Sequence, residues 1–343
     1  MLTENPLPGA GPARARHEDK EDFTVSSAIS ADKIRGFIAP IPTVFDGKGE
    51  PDLPLIAQMA DFFLEAGVHG FFVLGSLGMG PVCTNEQRKA VAEAVIDRVA
   101  RRVPVMIQVG ATEPYSSMEL AAHAQAAGAD AIGVVGPYYF NNRTEWELIE
   151  HYRLIGTASD LPMLLYNNPL YSGYPCPPEL MVKIRNVVPT VFGGKLARGN
   201  PVEALRYIDV LGPDFTAFTP IEVVVPGVEL GVAGSIAAGP VAVVPELGVA
   251  LVEAAQNGEL DLAVKLQVAM LRYYRKQEYF WKTYGRGEYC EGWRLRGFDI
   301  VEYPRWPTPP MSEEDKRRYK ANMDDFFVEV EGLLGRKVRV AGR

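Results

Sequence analysis

Three cysteines in 343 residues, Cys83, Cys176 and Cys290, leave no basis for a disulfide framework: they are odd in number, far apart and without CxxC or CxxH spacing. The same spacing offers no zinc site, and so thiol-poor a chain suits a reducing, cytoplasmic compartment. Long apolar runs are missing too. Nowhere do roughly 18 apolar residues follow one another, so no membrane-spanning helix is expected and no membrane partner is implied. Residues 1–33, which open MLTENPLPGAGPARARHEDKED, mix Pro, Gly and charge, and read as a flexible N-terminal tail rather than a signal peptide. Positive charge is in deficit: 35 Lys and Arg stand against 43 Asp and Glu, a net −8, which argues against a nucleic-acid partner because phosphate binding needs clustered cations.

What is present is a chain able to build a core, with 47% hydrophobic and 23% charged residues. Three segments share one pattern: LEAGVHGFFVLG at 64–75, AQAAGADAIGVVG at 124–136 and VELGVAGSIAAG at 228–239. In each, a helical stretch ends at a glycine (Gly67, Gly128, Gly231) suited to a left-handed cap. A short apolar run follows, of the length of a strand buried on both faces. Further runs at 37–45, 104–110, 162–168, 190–195 and 214–220 bring the strand total to eight. Between them lie helical stripes such as Leu55, Met59, Phe62 and Ala66, or Val91, Val95 and Val99, and Thr84 with Gln87 forms a capping box. No GxGxxG turn follows the first strand, which weighs against an open dinucleotide-binding sheet. The fold class is therefore α/β, a closed (βα)8 TIM barrel over residues 34–240. Residues 241–343 supply the last barrel helix and a C-terminal helical extension that packs on the barrel or builds an oligomer contact.

Barrel enzymes place their chemistry at the carboxyl ends of the strands. Four ends stand out: Gly75-Ser76-Leu77-Gly78, Pro137-Tyr138-Tyr139, Tyr166-Asn167-Asn168-Pro169 and Gly193-Gly194-Lys195. Lys195 follows an apolar strand and two glycines that remove bulk around it. Desolvation there would favour the free amine that attacks a carbonyl carbon, although a lysine at that place can also turn to water at the rim. Tyr166, on the neighbouring strand, suits a proton relay or a core hydroxyl, and Tyr139 either extends the relay or packs. Ser76 and the amides of Leu77 and Gly78 form a candidate carboxylate site, although turn geometry alone would explain the glycines. Ser235 and Ile236, in the eighth run, complete the candidate substrate contacts.

Taken in order, GSLG, GPYY, YNNPLYSG and GGKLARGN resemble the dihydrodipicolinate synthase and N-acetylneuraminate lyase family of Schiff-base lyases, over about residues 36–315. The resemblance implies that Lys195 is the Schiff-base lysine, Tyr166 the proton-shuttling tyrosine and Ser76 the hydroxyl that contacts the substrate carboxylate. Tyr139 would be the second tyrosine, which related enzymes contribute across a subunit interface, so a homodimer or homotetramer is implied. Two departures matter. Where many members carry two hydroxyl residues followed by Gly-Glu, this chain has Ser76-Leu77-Gly78-Met79; the loop GMGP is similar to that of 2-keto-3-deoxygluconate aldolases. Where dihydrodipicolinate synthases carry a carboxylate-binding arginine, this chain has Tyr171, so lysine biosynthesis is not expected. Asn168 before Pro169 resembles the Tyr-x-Asn-Pro of hydratase-aldolases acting on aryl-substituted 2-oxo acids, but an Asn there equally caps a turn. Leu77, Met79 and Tyr171 would suit a less polar acceptor.

The expected activity is a lyase that makes or breaks a carbon–carbon bond between pyruvate, or a related 2-oxo acid, and an aldehyde acceptor, with no metal or organic cofactor. Alternatives are a dehydratase, hydratase or hydratase-aldolase using the same imine, and a 2-oxo acid-binding homologue without turnover.

Overall fold

The computed structural model describes residues 30–197, 200–301, 305 and 307–340. Most of the expected tail, residues 1–29, lies outside the described residues, as do Arg198 and Gly199 of the GGKLARGN motif; Ala31–Lys33 form a short 3-10 turn.

Eight strands overlap the expected runs, with no end more than one residue outside: β1 Gly36–Pro40, β2 Gly70–Val73, β3 Val105–Gln108, β4 Ala131–Val135, β5 Met163–Asn167, β6 Val191–Leu196, β7 Thr216–Thr219 and β8 Gly234–Ser235. Each pairs in parallel with the next and β8 pairs with β1, so the sheet closes into a barrel ringed by helices, bearing out the TIM-barrel expectation. Gly67, Gly128 and Gly231 all adopt positive φ, of 89°, 88° and 94°, so each supplies the left-handed turn that the repeated unit requires. Thr84 and Gln87 form the expected capping box ahead of the helix Asn85–Val99.

The strands are buried on both faces, and their side chains sort by parity into two apolar clusters. Ile38, Phe72, Met106, Val135, Leu164, Tyr166 and Phe218 fill the barrel interior. Their neighbours Phe37, Phe71, Ile107, Val134, Leu165 and Ala217 pack outward against the helices. Complete burial of a side chain such as Phe72 or Phe218 stabilises the fold by roughly 1.5–3 kcal/mol.

β6 breaks the parity. Met163 of β5 pairs with Val191, but Leu164 pairs with Gly193, leaving Phe192 as an extra residue in a bulge. From there Gly194 pairs with the outward Leu165 and Lys195 with the inward Tyr166. A one-residue shift flips every following side chain, so without Phe192 in the count Lys195 would share the outward row of Asn167.

The two glycines were expected to clear space around the lysine; their contacts show a different role. A Cβ on Gly193 would lie 2.2 Å from the Thr216 carbonyl oxygen, and one on Gly194 would meet the Phe215 ring at 2.8 Å. Both serve the seam with β7.

Beyond the barrel, the helices Leu260–Tyr284, Gly287–Leu295 and Glu313–Leu334 form the extension. Arg296, 0% exposed, bonds Glu246 of the last barrel helix and lies 4.7 Å from the Phe62 ring, while the Trp293 indole donates to Ala242 O at 3.1 Å.

Gly193→Ala should destabilise the chain by about 2–3 kcal/mol, because the clash is with backbone and β6 must move off β7 to relieve it. Thermal unfolding against Gly47→Ala, whose added Cβ meets nothing within 4 Å, tests this; equal midpoints would refute the seam role.

Candidate active site

At the carboxyl end of the barrel a cavity of about 1170 Å³ is lined by residues of the barrel and of the extension. It brings together Ser76, Leu77, Tyr166, Asn168, Tyr171, Lys195 and Ile236 among the residues singled out in the sequence.

Lys195 is 8% exposed, and its Nζ lies 4.0 Å from the centre of the Tyr166 ring and 4.5 Å from that of Phe72. Phe72 meets Tyr166 edge to face at 5.8 Å, so the lysine stem is held by packed rings of the interior row. The Tyr166 hydroxyl accepts a hydrogen bond from Asn168 Nδ2 at 3.0 Å and lies 3.4 Å from Ser76 Oγ. Burial alone would raise the phenol's pKa. The nearby Lys195 charge, with hydrogen bonds from Ser76, Asn168 and Lys195, outweighs burial and holds it below the ordinary phenol value. An acidified phenol beside an amine can give and take a proton.

Asn168 was read either as a site residue or as a turn cap. Its side chain makes no cap to the helix Pro169–Ser172 and bonds the Tyr166 hydroxyl instead. The loop carrying Ser76 is tightly wound: Leu74 and Met79 hold positive φ of 62° and 52°, and a Cβ on Gly80 would lie 2.1 Å from Leu74 O. Such strain persists only where surrounding structure imposes it. Among the described residues no backbone acceptor takes the Ser76 or Leu77 amide.

Three expected contacts lie elsewhere. Gly78 is not on the cavity wall; a Cβ there would meet Leu74 N at 2.8 Å, so its place in the loop is a matter of close backbone packing. Ser235 is wholly buried and donates to Thr219 O at 2.9 Å, joining β8 to the end of β7. Tyr139 is 82% exposed, with φ 76° and its ring against Phe140, and lines no part of this chain's cavity. Met79, expected beside a less polar acceptor, is buried in the outer core.

The extension was expected to pack or to build an oligomer contact. It also supplies cavity wall: Gln277 and Trp281 from the long helix, and Glu288 and Tyr289 from the next. Tyr289 accepts a hydrogen bond from the Gly239 amide at 3.0 Å, tying the loop after β8 to the extension. Burial pushes the Glu288 carboxyl up to about 8. The only sequence signal for this wall was the polar, aromatic stretch 276–293. Among the described residues no three His, Cys, Asp or Glu side chains are grouped to hold a metal ion.

Because the folded chain holds the Glu288 proton more tightly than the unfolded chain, this contribution is fully present below the ordinary carboxylate value of 4.5. It is lost as pH rises through about 8. The unfolding temperature of the wild type should therefore fall more steeply across that range than that of Glu288→Gln; parallel profiles would mean that the carboxyl titrates normally.

Residues 33–325 match the model of the dihydrodipicolinate synthetase family. YagE of Escherichia coli K12, named as a candidate 2-dehydro-3-deoxy-D-gluconate aldolase, is 39% identical over 160 residues, 47% of this chain and about half of YagE, at 53%. YjhH of the same organism, named as a probable 2-dehydro-3-deoxy-D-pentonate aldolase, is 31% identical over 244 residues, 70% of this chain and 80% of YjhH. The crystal structure of YagE in complex with pyruvate superposes with a TM-score of 0.76 at 29% identity, covering 85% of this chain and 98% of that one. A Ruminococcus gnavus sialic acid aldolase, at 24% identity and a TM-score of 0.80 over 88% of this chain and 99% of its own, bears on the fold alone. Since the family model spans most of the sequence, the chain belongs to the dihydrodipicolinate synthetase family.

Proposed function

We propose that this chain is a class I aldolase-type lyase that makes or breaks a carbon–carbon bond between pyruvate, or a related 2-oxo acid, and an aldehyde. The observation that carries the reading is the buried Lys195 amine over the Tyr166 ring, beside a phenol hydrogen-bonded by Asn168.

The Lys195 amine adds to the 2-oxo carbon, and the Tyr166 phenol protonates the departing hydroxyl of the carbinolamine, so that water leaves and a cationic imine remains. In cleavage, Tyr166 takes the proton of the substrate hydroxyl as the carbon–carbon bond breaks. The bonding pair flows into the imine as an enamine, the aldehyde departs, and protonation and hydrolysis release the 2-oxo acid. Asn168 and Ser76 orient the phenol, and Ser76 with the adjacent amides receives the substrate carboxylate. The pyruvate held by YagE supports the donor.

The working form is a homo-oligomer. Tyr115, Tyr139, Phe140, Trp146 and Leu170 are each more than 60% exposed on segments following β3, β4 and β5, a concentration of aromatic and apolar groups that favours a covering surface. A second copy seated there is the natural occupant, with Tyr139 reaching the neighbouring copy's site as the family resemblance implies. The three free thiols favour a reducing, cytoplasmic setting, and no described helix is long and apolar enough to cross a membrane.

Borohydride reduction with pyruvate should label Lys195, and Lys195→Ala should abolish both labelling and turnover; a label on another lysine would refute the assignment. Tyr166→Phe should lower kcat by roughly 10²–10⁴-fold while pyruvate still binds. Tyr139→Phe should also lower turnover, although the residue lines no part of its own chain's cavity. Unchanged rates would remove Tyr139 from the site.

A further inference from the structure

Two side chains of the cavity wall make no hydrogen bond of good geometry and no ion pair among the described residues, and both come from the extension. Gln277 is 3% exposed, yet neither its carboxamide oxygen nor its nitrogen has a hydrogen-bond partner among the described residues; it lies beside the Tyr273 phenol without reaching bonding geometry. Glu288, half-buried on the next helix, forms no ion pair and no side-chain hydrogen bond among the described residues, and burial alone drives its carboxyl toward the protonated form. A buried amide with both functions unpaired is costly, and a group satisfied by a ligand accounts for its presence better than packing does.

We propose that Gln277 and Glu288 are specificity-determining residues that hydrogen-bond the hydroxyl groups of an uncharged, polyhydroxylated acceptor aldehyde. The inference rests on the Schiff-base reading above and names the acceptor class for that same cavity. A carboxamide and a protonated carboxyl each offer one donor and one acceptor function to a ligand hydroxyl, which likewise both gives and accepts. A hydrocarbon acceptor would leave the Gln277 amide unpaired. An anionic acceptor would call for a buried cation, whereas Arg275 and Lys282 of this wall are both exposed to solvent, Lys282 being paired with Glu278 at 2.5 Å.

The test uses the full-length protein, Gln277→Leu and Glu288→Ala, with pyruvate as donor and D-glyceraldehyde or propanal as acceptor. Borohydride trapping with pyruvate alone reports on imine formation and on the integrity of each variant; Glu288→Ala, at a half-buried position, carries the test should Gln277→Leu not fold. The wild type should prefer glyceraldehyde. Each variant should keep its imine yield, lose roughly tenfold or more in kcat/KM for glyceraldehyde and change less than about twofold for propanal. An unchanged ratio between the two aldehydes in variants that still form the imine would overturn the assignment and leave the lyase reading intact. So would a wild type that prefers propanal or a phosphorylated aldehyde. A wild type that forms no imine with pyruvate would instead overturn the Schiff-base reading, and this one with it.

Discussion

Side chains alternate across a strand, so whether a barrel residue faces the interior or the helices is a matter of parity, and one residue decides it for β6. Phe192 opposes nothing on β5, and that offset sets Lys195 level with Tyr166 and Phe218 in the inward row. Everything that makes the lysine chemically interesting depends on this. The rings beneath it, the phenol within its reach and the cavity above are all properties of the interior row. The glycines after the bulge let β7 approach closely enough to hold the altered register.

The same arrangement tunes the Tyr166 phenol proposed as the proton carrier. Burial by itself would hold a phenol in its neutral form, and the interior row buries Tyr166 almost completely. A lysine on the adjacent strand and a carboxamide two residues further along the same chain reverse that tendency. Three strand ends, of β2, β5 and β6, thus converge on one oxygen, a convergence that a closed barrel provides and that an open sheet would spread out.

The barrel was legible because its signals are local. Each helix-glycine-strand unit announces itself within a dozen residues, and strands buried on both faces read as apolar runs whatever their partners. The pairing of Lys195 with Tyr166 also followed from strand-end logic. The bulge did not, since nothing in VFGGK tells which residue β5 will skip. Gly78 sat in the right loop and Ser235 at the right strand end, but their roles were decided by contacts with Leu74 and Thr219 that no spacing reveals. Tyr139 followed the strand-end rule and still points away from this chain's cavity, because its backbone is in the left-handed region and turns the ring outward onto Phe140. The wall built by 277–289 was illegible for a different reason. Its residues come from two helices joined through a turn at Gly285, whose positive φ redirects the chain between them.

That division of the cavity between distant stretches of chain has a further consequence. The lysine and phenol proposed to carry the chemistry belong to strands whose register sets their facing, whereas the opposing groups sit on helices held to the barrel through Arg296 and Trp293. On the proposed reading, evolutionary drift in the second stretch would retune which partner molecule is admitted while the strand-borne pair stays untouched, and a directed library confined to the two helices would explore selectivity without gambling on the scaffold.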